Sequence, residues 1–352
     1  MRGRGERLER QLGERELDLM LVTDLTNVRY LTGFTGTNGA CVCGPGIRLF
    51  LTDFRYTERA AAEVEGWETV TLAADWLGGI AERLQGRVGF EDDQMAVRVL
   101  EKLKGKLPDG VEMVAAGGRV EELRRVKDAG ELTAIEEASK LADEVWRWSV
   151  ELGLSGRTER EVARAAEARI REQGGDPSFP AIVAAGPNGA LPHAEPGERK
   201  IGRGELVVFD MGAQLDGYCS DGTRTFATGD PGEAAIEVYE VVREAQAAAL
   251  EAIRVGVKGE DVDGVARDVI DAAGHGQRFG HGLGHGVGLE VHEAPRLSLR
   301  SDDVLAAGEV VTVEPGVYLP GQLGVRIEDL VVVTEDGLRN FSSLPKDLQM
   351  IE

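Results

Sequence analysis

The run 205–226 constrains the fold most, because two aspartates flank a turn signal within it. The dipeptide Asp-Gly at 216–217 separates two segments rich in Val, Phe, Tyr and Thr, a pattern typical of a two-stranded hairpin. The midpoint between Asp210 and Asp221 falls inside this turn. The pattern therefore predicts that the two carboxylates lie opposite each other on neighbouring strands, roughly 5 Å apart. Like charges so placed destabilise a sheet unless a proton or a cation lies between them.

Composition and length limit the class of protein. The chain has 352 residues, enough for two domains that each bury a core, and 42% of them are hydrophobic, as in a globular protein. Its 62 acidic and 40 basic residues give a formal charge of −22, which disfavours phosphate backbones and anionic membranes as partners. No apolar run approaches the roughly 20 residues that span a bilayer. We therefore expect no nucleic-acid partner and no membrane partner.

The cysteines and the first residues bear on the compartment. Cys41, Cys43 and Cys219 form no Cys-x-x-Cys pair and are not an even set for disulfides. The first ten residues mix acids with arginines and lack an apolar segment, so they indicate neither a signal nor a transit peptide. The sequence therefore predicts a cytoplasmic protein.

The first 120 residues alternate strand-like and amphipathic segments, which predicts an α/β layer domain. Strands are expected at 18–23, 67–72, 86–90 and 111–114, a hairpin at 40–52, and helices at 53–65, 74–85 and 97–107. A long amphipathic pattern at 117–148 follows. We place a first domain at 1–118, a linker or helix start at 119–128, and a second domain at 129–352.

The second domain begins with clear helical patterns. Residues 158–173 open with Thr-Glu-Arg-Glu, a capping box, and further helices are predicted at 233–253 and 261–273. A Gly-, Pro- and Ala-rich stretch at 177–193 reads as a strand with loops and ends at His193. On its own, a histidine in such a loop does not indicate a function.

The run 279–293 contains three of the five histidines of the chain. His281 and His285 are four residues apart, as on a zinc-binding helix. The glycines between and after them make a helix improbable, since each would cost about 1 kcal/mol there. Glycine at this density more often marks backbone that approaches a ligand or another strand. We therefore predict a functional site here, which includes His292 and leaves His275 outside.

The last acidic residues of interest lie on predicted strands. Glu314 ends the strand 309–314, before Pro-Gly. In the strand-like run 324–333, a period of two puts Arg326 and Glu328 on one face. Charges within an apolar strand are expensive if they are buried and unpaired. Either this face is exposed to water, or a cation balances Glu328.

Four carboxylates and one imidazole then form an oxygen-dominated set with a formal charge of −4, which two divalent ions would neutralise. The set comprises Asp210, Asp221, His285, Glu314 and Glu328. Such ligands suit Mn²⁺, Co²⁺, Fe²⁺ or catalytic Zn²⁺ rather than structural zinc. Paired metals can lower the pKa of a bound water and polarise an acyl oxygen, so amide hydrolysis is the expected reaction.

Four segments carry a resemblance to a known family. They are the aspartates 210 and 221, the His-Gly-Leu-Gly-His-Gly-Val-Gly-Leu-Glu-Val-His run at 281–292, Thr-Val-Glu-Pro-Gly at 312–316 and Gly-Val-Arg-Ile-Glu-Asp at 324–329. They resemble the metal-binding segments of the pita-bread metallopeptidases, and most of all the Xaa-Pro branch, prolidase and aminopeptidase P. The resemblance implies an α/β (α+β) fold, with a creatinase/prolidase-type N-terminal domain before a pita-bread catalytic domain.

The resemblance also implies a role for each matching ligand. Asp221 and Glu328 would bridge two metal ions, and Asp210 would chelate one of them. His285 and Glu314 would bind the other ion. Glu314 also matches the proton-shuttling glutamate of the family, which makes it the expected general base. The expected ions are Mn²⁺, with Co²⁺, Zn²⁺ or Fe²⁺ as alternatives.

Four residues match the substrate side of the family's site. His281 and His292 match residues that contact the substrate carbonyl and the tetrahedral intermediate, and both could donate to an oxyanion. His193 matches a substrate-side histidine. Arg326 resembles the arginine that supports the site, and its alternative role is a salt bridge to one of the neighbouring carboxylates.

These roles predict a binuclear-metal peptidase that acts on peptides with proline at the second position, as an Xaa-Pro dipeptidase or aminopeptidase. Proline lacks an amide N–H and has a restricted φ, so a pocket can select its imide bond. Two alternatives stay open: a pita-bread aminopeptidase of other specificity, and a non-catalytic binding protein with the same fold. The N-terminal domain disfavours methionine aminopeptidase, and the full ligand set disfavours the metal-free creatinase. The family also implies a homodimer.

Overall fold

The alternating segments of the first 120 residues form a layered α/β unit. The computed structural model describes residues 3–13 and 16–351. The chain divides into two units, Met1–Arg124 and Arg125–Glu352. Residues 1, 2, 14, 15 and 352, which the predicted domains 1–118 and 129–352 include, lie outside the described residues. The predicted domain limits themselves stay a prediction.

The N-terminal unit contains a mixed sheet with helices around it. Its strands are β1 (Leu19–Val22), β2 (Ala40–Gly44), β3 (Ile47–Thr52), β4 (Glu68–Thr71), β5 (Arg87–Phe90) and β6 (Glu112–Ala115). Its helices are α1 (Arg4–Gly13), α2 (Leu25–Thr32), α3 (Thr57–Glu63), α4 (Trp76–Ala81), α5 (Val97–Lys104) and α6 (Arg119–Arg125), and a 3₁₀ turn covers Phe54–Tyr56. Within the described residues, the strand order is β4-β3-β2-β1-β5-β6.

The sequence predicted these strands correctly, including the antiparallel hairpin of β2 and β3. Helices α1 and α2 were not predicted. Asp24 caps α2 by accepting a hydrogen bond from the Asn27 N–H, and Gly33 ends it with a φ of 84°. Leu21, Val42 and Val88 lie in the core of the sheet, where they are fully buried.

The second unit contains four long helices among its described residues. They are α7 (Ala129–Glu151), α8 (Glu159–Glu172), α9 (Glu233–Ala252) and α10 (Gly259–Ala272). Capping boxes open α7, from Asp128 to Glu131, and α8, from Thr158 to Glu161. The capping box of α8 and the positions of α9 and α10 confirm the predictions. The long pattern at 117–148 is split between α6 and α7, because residues 126–128 are not helical and Asp128 caps the start of α7.

The strands of this unit form several small antiparallel sheets. They are β7 (Asp176–Pro177), β8 (Ile182–Ala185), β9 (Leu206–Asp210), β10 (Ala213–Leu215), β11 (Tyr218–Cys219), β12 (Thr223–Ala227), β13 (Gly284–Gly286), β14 (Glu293–Leu297), β15 (Val310–Val313), β16 (Gly316–Leu319), β17 (Leu323–Arg326), β18 (Asp329–Thr334) and β19 (Gly337–Asn340). Short 3₁₀ turns cover Gly186–Ala190 and Gly276–Arg278. In the described chain the sheets run β12-β9-β8, β11-β10-β7, β14-β13-β15-β18-β19 and β16-β17.

Each pair of helices covers one group of strands. Apolar residues of α7 and α8 pack on β8, β9 and β12, where the rings of Trp146 and Phe226 lie 4.1 Å apart between centroids. Helices α9 and α10 pack on β15, β17 and β18 through fully buried residues such as Val242 and Val331. The two helix pairs thus leave the other sides of these strands to the polar residues described below.

The predicted hairpin at 205–226 has the expected turn and a different register. Asp216 and Gly217 have φ values of 48° and 80°, as a type I′ turn requires. This turn pairs Leu215 with Tyr218, and the same register pairs Asp210 with Thr223. The prediction that Asp210 and Asp221 lie directly opposite each other is therefore wrong, because the two-residue turn places Thr223, two residues beyond Asp221, opposite Asp210.

The predicted strand 324–333 is interrupted in the middle. Strand β17 ends at Arg326 and pairs with β16, whereas β18 begins at Asp329 and pairs with β15. Ile327 and Glu328 lie between the two ladders, so the single-strand prediction is wrong at this point. The side chains of Arg326 and Glu328 are nevertheless both buried, 4% and 2% exposed, which excludes a face open to water.

Candidate metal centre

Three carboxylates from three different segments come together in the second unit. Asp210 ends β9, Asp221 lies between β11 and β12, and Glu328 lies between β17 and β18. One oxygen of each lies within 4.8 Å of the others. The side chains are almost completely buried, with exposures of 7%, 8% and 2% for the three residues. Despite the changed register, the predicted pair of aspartates therefore does meet.

This cluster lacks the donors that three buried acids need. Asp210 Oδ1 and Glu328 Oε1 are buried without a hydrogen-bond partner among the described residues. Burial raises the pKa of Asp221 well above its usual range, and the neighbouring Glu328, Asp210 and Glu314 raise it further. Burial likewise raises the pKa of Glu328 well above its usual range. Like charges and bare oxygens at one point fit divalent cations, which prefer carboxylate oxygens.

His285 and Glu314 lie beside the three acids. His285 Nε2 lies 3.3 Å from Glu314 Oε1 and 3.7 Å from Asp221 Oδ2. The His285 Nδ1 lies 3.1 Å from the Gly286 carbonyl oxygen, which can only accept, so Nδ1 carries a proton. That hydrogen bond turns Nε2 towards the acids, which is the arrangement of a metal-binding histidine.

Thr312 links His285 and Glu314. Its hydroxyl accepts the His285 N–H over 3.1 Å and donates to Glu314 Oε1 over 3.2 Å. Burial would raise the pKa of Glu314, but the hydrogen bond and charge of His285 hold that pKa below its usual value. Glu314 is therefore the carboxylate of this group that is most readily ionised.

The glycines around His285 serve strand packing. A Cβ on Gly284 would lie 2.0 Å from the Thr312 carbonyl oxygen, and one on Gly286 would lie 2.2 Å from the Ala294 carbonyl oxygen. Strand β13 thus packs closely between its neighbours β14 and β15. Of the two predicted reasons for the glycines, close approach to another strand applies at these positions, and the predicted absence of a helix is confirmed.

Arg326 supports the centre through Asp210. Its Nη2 donates to Asp210 Oδ2, its Nε donates to the Thr223 hydroxyl over 3.1 Å, and Nη1 donates to the Pro192 carbonyl over 3.1 Å. The salt bridge to Asp210 is formed. The Thr223 hydroxyl in turn donates to Glu328 Oε2 over 2.7 Å.

Tyr318 is a residue of the site that the sequence did not reveal. Its hydroxyl accepts from Arg326 Nη1 over 2.9 Å and lies 2.9 Å from His281 Nε2. His281 Nδ1 donates to the Gly282 carbonyl over 2.8 Å, so the tyrosine donates to Nε2. A buried tyrosine needs a partner for its hydroxyl, but nothing in the local pattern of β16 says which one.

The two other predicted histidines lie at the mouth of the centre. His193 and His292 are exposed and line a cleft of about 910 Å³ together with the five predicted ligands and His281. The rings of His292 and His285 lie 4.3 Å apart between centroids. His275 is not among the described residues that line this cleft. The structure thus brings the predicted residues together around one cleft.

The site can now be set beside known proteins. The sequence profile of metallopeptidase family M24 matches residues 133–335, more than half of the chain. The chain belongs to this family. The creatinase/prolidase N-terminal domain matches residues 4–126. The predicted combination of these two domains, and the mixed α/β fold class, are confirmed.

Individual members of the M24 family match over nearly the whole chain. The Xaa-Pro dipeptidase of Pyrococcus furiosus is 35% identical over 99% of this chain and 100% of its own length. The solved structure of an Xaa-Pro dipeptidase from Bacillus anthracis has a TM-score of 0.96 at 39% identity, with 99% of both chains covered. The X-Pro aminopeptidase of Thermotoga maritima has a TM-score of 0.91 at 33% identity, with 98% of this chain and 100% of its own covered.

Membership in the M24 family makes this chain a metallopeptidase, an enzyme that acts on peptides and uses divalent metal ions. The buried triad of Asp210, Asp221 and Glu328 agrees with that chemistry. Among the described helices, none combines the length and the low polarity that crossing a bilayer requires.

Proposed function

We propose that this M24 enzyme is a binuclear-metal peptidase that hydrolyses the Xaa-Pro imide bond at the N terminus of di- or oligopeptides. The observation that carries the proposal is the buried cluster of Asp210, Asp221 and Glu328, with its two oxygens that lack partners. The names of the relatives from Pyrococcus furiosus and Bacillus anthracis support the preference for proline.

In this proposal each ligand keeps the role expected from the family. Asp221 and Glu328 would be shared by the two ions, Asp210 would hold one of them, and His285 and Glu314 would hold the other. We expect Mn²⁺, with Co²⁺, Zn²⁺ or Fe²⁺ as alternatives. When bound, the ions supply Lewis acidity and lower the pKa of a water molecule.

The other site residues handle the proton and the substrate. Glu314 serves as the general base, for which its lowered pKa keeps the carboxylate ionised at neutral pH. His292 and His193 donate hydrogen bonds to the substrate from the mouth of the cleft. His281 contacts the substrate carbonyl when its Nε2 carries a proton and gives up the hydrogen bond that it accepts from the Tyr318 hydroxyl. Arg326 holds Asp210 in place.

The lining of the cleft supports a preference for proline. Phe179, Pro180 and Ile182 give one part of the cleft an apolar lining, which suits a pyrrolidine ring. A proline N has no hydrogen to donate, so the pocket needs no acceptor for it. We propose that this apolar part receives the residue after the scissile bond.

The test uses three peptides and begins with Mn²⁺; Co²⁺, Zn²⁺ and Fe²⁺ replace it in turn if no cleavage occurs. The protein is stripped with a chelator, loaded with Mn²⁺, and assayed with Ala-Pro, Ala-Pro-Ala and Ala-Ala. Metal-dependent cleavage of Ala-Pro or Ala-Pro-Ala, with Ala-Ala much slower, is the expected outcome. Comparable rates on Ala-Ala would instead indicate an aminopeptidase of other specificity, and no hydrolysis with any metal would indicate a binding protein.

Ala-Pro-Ala in this assay addresses a second candidate, aminopeptidase activity on longer peptides. The similarity to the Thermotoga maritima X-Pro aminopeptidase favours it. We further propose a cytoplasmic homodimer, which light scattering on the purified protein would test, with domains at 1–118 and 129–352.

A further inference from the structure

A buried ion pair lies one residue along the chain from the candidate metal centre. Arg224 follows Thr223 in β12, and Asp329 follows Glu328 at the start of β18. Their side chains are 2% and 0% exposed, and Arg224 Nη2 donates to Asp329 Oδ1 over 2.7 Å. Consecutive residues of a strand point to opposite faces, so Arg224 lies behind the face from which Thr223 reaches Glu328.

Every N–H donor of the Arg224 guanidinium has an acceptor. Nε donates to the Pro345 carbonyl over 3.0 Å, and Nη2 donates to the Leu344 carbonyl over 3.0 Å as well as to the carboxylate of its partner. Nη1 donates to the carbonyls of Thr223, over 2.9 Å, and of Glu328. Five donors in one rigid plane meet five acceptors, which leaves the group a single orientation.

The Nη1 group of Arg224 joins the backbone carbonyls of two residues at the candidate metal centre. Thr223 and Glu328 are also linked by the Glu328 N–H, which donates to the Thr223 carbonyl over 3.0 Å, and by the Thr223 hydroxyl, which donates to Glu328 Oε2 over 2.7 Å. Because Glu328 lies between β17 and β18, neither sheet ladder holds it. Arg224 thus holds the backbone carbonyl of Glu328, while Thr223, from the other face of β12, holds the Glu328 carboxylate.

Asp329 is held as completely as its partner. Its Oδ2 accepts hydrogen bonds from Gln246 Nε2 over 3.0 Å, from Asn340 Nδ2 over 2.7 Å and from Lys346 Nζ over 2.5 Å. A buried ion pair gains little stability over well-packed apolar residues. A fully bonded network, by contrast, imposes one geometry on the groups it joins. The contribution of this pair is therefore geometric.

We propose that Arg224 and Asp329 are positioning residues that hold Glu328 where it bridges the two metal ions. The inference rests on the proposed two-metal function. Neither residue is among the described residues that line the cleft, so both act through the backbone of Glu328 and through Thr223. Changes to the outer partners of metal ligands commonly weaken metal affinity 10- to 100-fold.

The test compares Asp329→Asn with Glu309→Gln. Glu309 is a matched control, because it is 1% exposed and accepts from Arg125 Nε over 2.9 Å, and no bond of it reaches a ligand. Both variants and the parent are stripped of metal and titrated with Mn²⁺ by calorimetry. The electron paramagnetic resonance spectrum then separates coupled Mn²⁺ pairs from isolated ions.

We expect Asp329→Asn to bind Mn²⁺ about 10- to 100-fold more weakly and to show isolated rather than coupled ions. Glu309→Gln should lose thermal stability but keep the parent's affinity and its coupled spectrum. Equal affinity for the parent and Asp329→Asn, or equal weakening in Glu309→Gln, would overturn the inference.

A second variant, Arg224→Lys, keeps the inference testable if Asp329→Asn does not fold. Arg224→Lys keeps the charge but has three donors for the five acceptors that surround Arg224, so we expect weaker binding of Mn²⁺ than in the parent, with the circular dichroism spectrum unchanged. Parent-like binding by folded Arg224→Lys would also overturn the inference. If the parent itself bound no pair of Mn²⁺ ions, the proposed function would fail. If the parent bound a coupled pair and the variants bound it equally well, only the positioning role would fail.

Discussion

Both units of the chain contain buried carboxylates, but the hydrogen-bond partners of the carboxylate oxygens differ between them. In the N-terminal unit, Glu91 is 1% exposed and both of its oxygens have partners. Its Oε2 accepts from the N–H groups of Thr23 and Asp24 over 2.6 and 2.8 Å, and its Oε1 accepts from Asn27 Nδ2 over 2.8 Å. In the second unit, Asp210 and Glu328 each bury one oxygen without a partner, next to further acids.

Burial alone does not distinguish these two places. It raises the pKa of Glu91, as it raises that of Asp221 and Glu328. The difference lies in the neighbouring groups: backbone N–H groups donate to Glu91, whereas Asp221 and Glu328 lie next to other carboxylates. A buried acid with enough donors is structural, and acids that lack donors and share a site require a proton or a cation.

The largest expected effect comes from Asp221→Asn. We expect only one tightly bound Mn²⁺ and a fall in kcat/KM of at least about a thousandfold, more than the loss of one oxyanion donor causes. In metal-free protein the same change should not lower the melting temperature, because it removes one of several like charges. Metal analysis, kinetics and calorimetry test this. An unchanged metal stoichiometry would contradict the bridging role and weaken the comparison with Glu91.

His292→Ala should have the second largest effect. Because His292 is exposed at the cleft, we expect two bound Mn²⁺ ions, an unchanged fold and a kcat lowered about 100-fold. Kinetics and metal analysis on the same preparation measure this. If the variant unfolds or loses its metals, His292 belongs with structural groups such as Glu91 rather than with the substrate side.

Tyr318→Phe should have a smaller effect on turnover. It removes the hydroxyl between Arg326 and His281, at a cost of about 1.5 kcal/mol, or roughly tenfold in kcat. Bound Mn²⁺ should stay at two ions, because the tyrosine contacts no predicted ligand. Unchanged kcat would show that the two partners keep their positions without it.

Glu91→Gln should leave kcat and metal content unchanged and lower the free energy of unfolding by about 1–3 kcal/mol, because an amide cannot accept from all four donors that reach the carboxylate. The folded-state pKa of Glu91 is raised above its usual 4.5, so its protonation stabilises the fold below that pH. This contribution is lost as the pH rises through the raised pKa. The stability difference between parent and variant should therefore shrink as the pH rises, which urea unfolding measures.

Much of the fold and the site could be predicted because the signals are local. The turn at 216–217, the capping box of α8 and the hairpin of β2 and β3 each depend on a few neighbouring residues, and all are present. The predicted ligands and substrate-side residues also line one cleft. Ligand types are recognisable from sequence because acids and histidines rarely recur at such spacings inside apolar strands.

One error lay in the register of a hairpin and another where distant segments meet. The two-residue turn at 216–217 sets Asp210 against Thr223, whereas the prediction set Asp210 against Asp221. A period of two carried the predicted strand through Glu328, although β17 and β18 pair with different neighbours. A hydrophobic pattern shows which residues are buried, but it does not show which ladder each one joins.

The sequence by itself thus determined the turn, most of the helices and the kinds of ligand, since these follow from the preferences of residues close together in the chain. Only the tertiary structure decided how the two aspartates meet Glu328, the link from Tyr318 to His281 and the Arg224–Asp329 pair. Arg326 and Asp210 are 116 residues apart, and Arg224 and Asp329 are 105 apart. Contacts over such separations depend on how helices and sheets pack, and packing is a property of the whole unit.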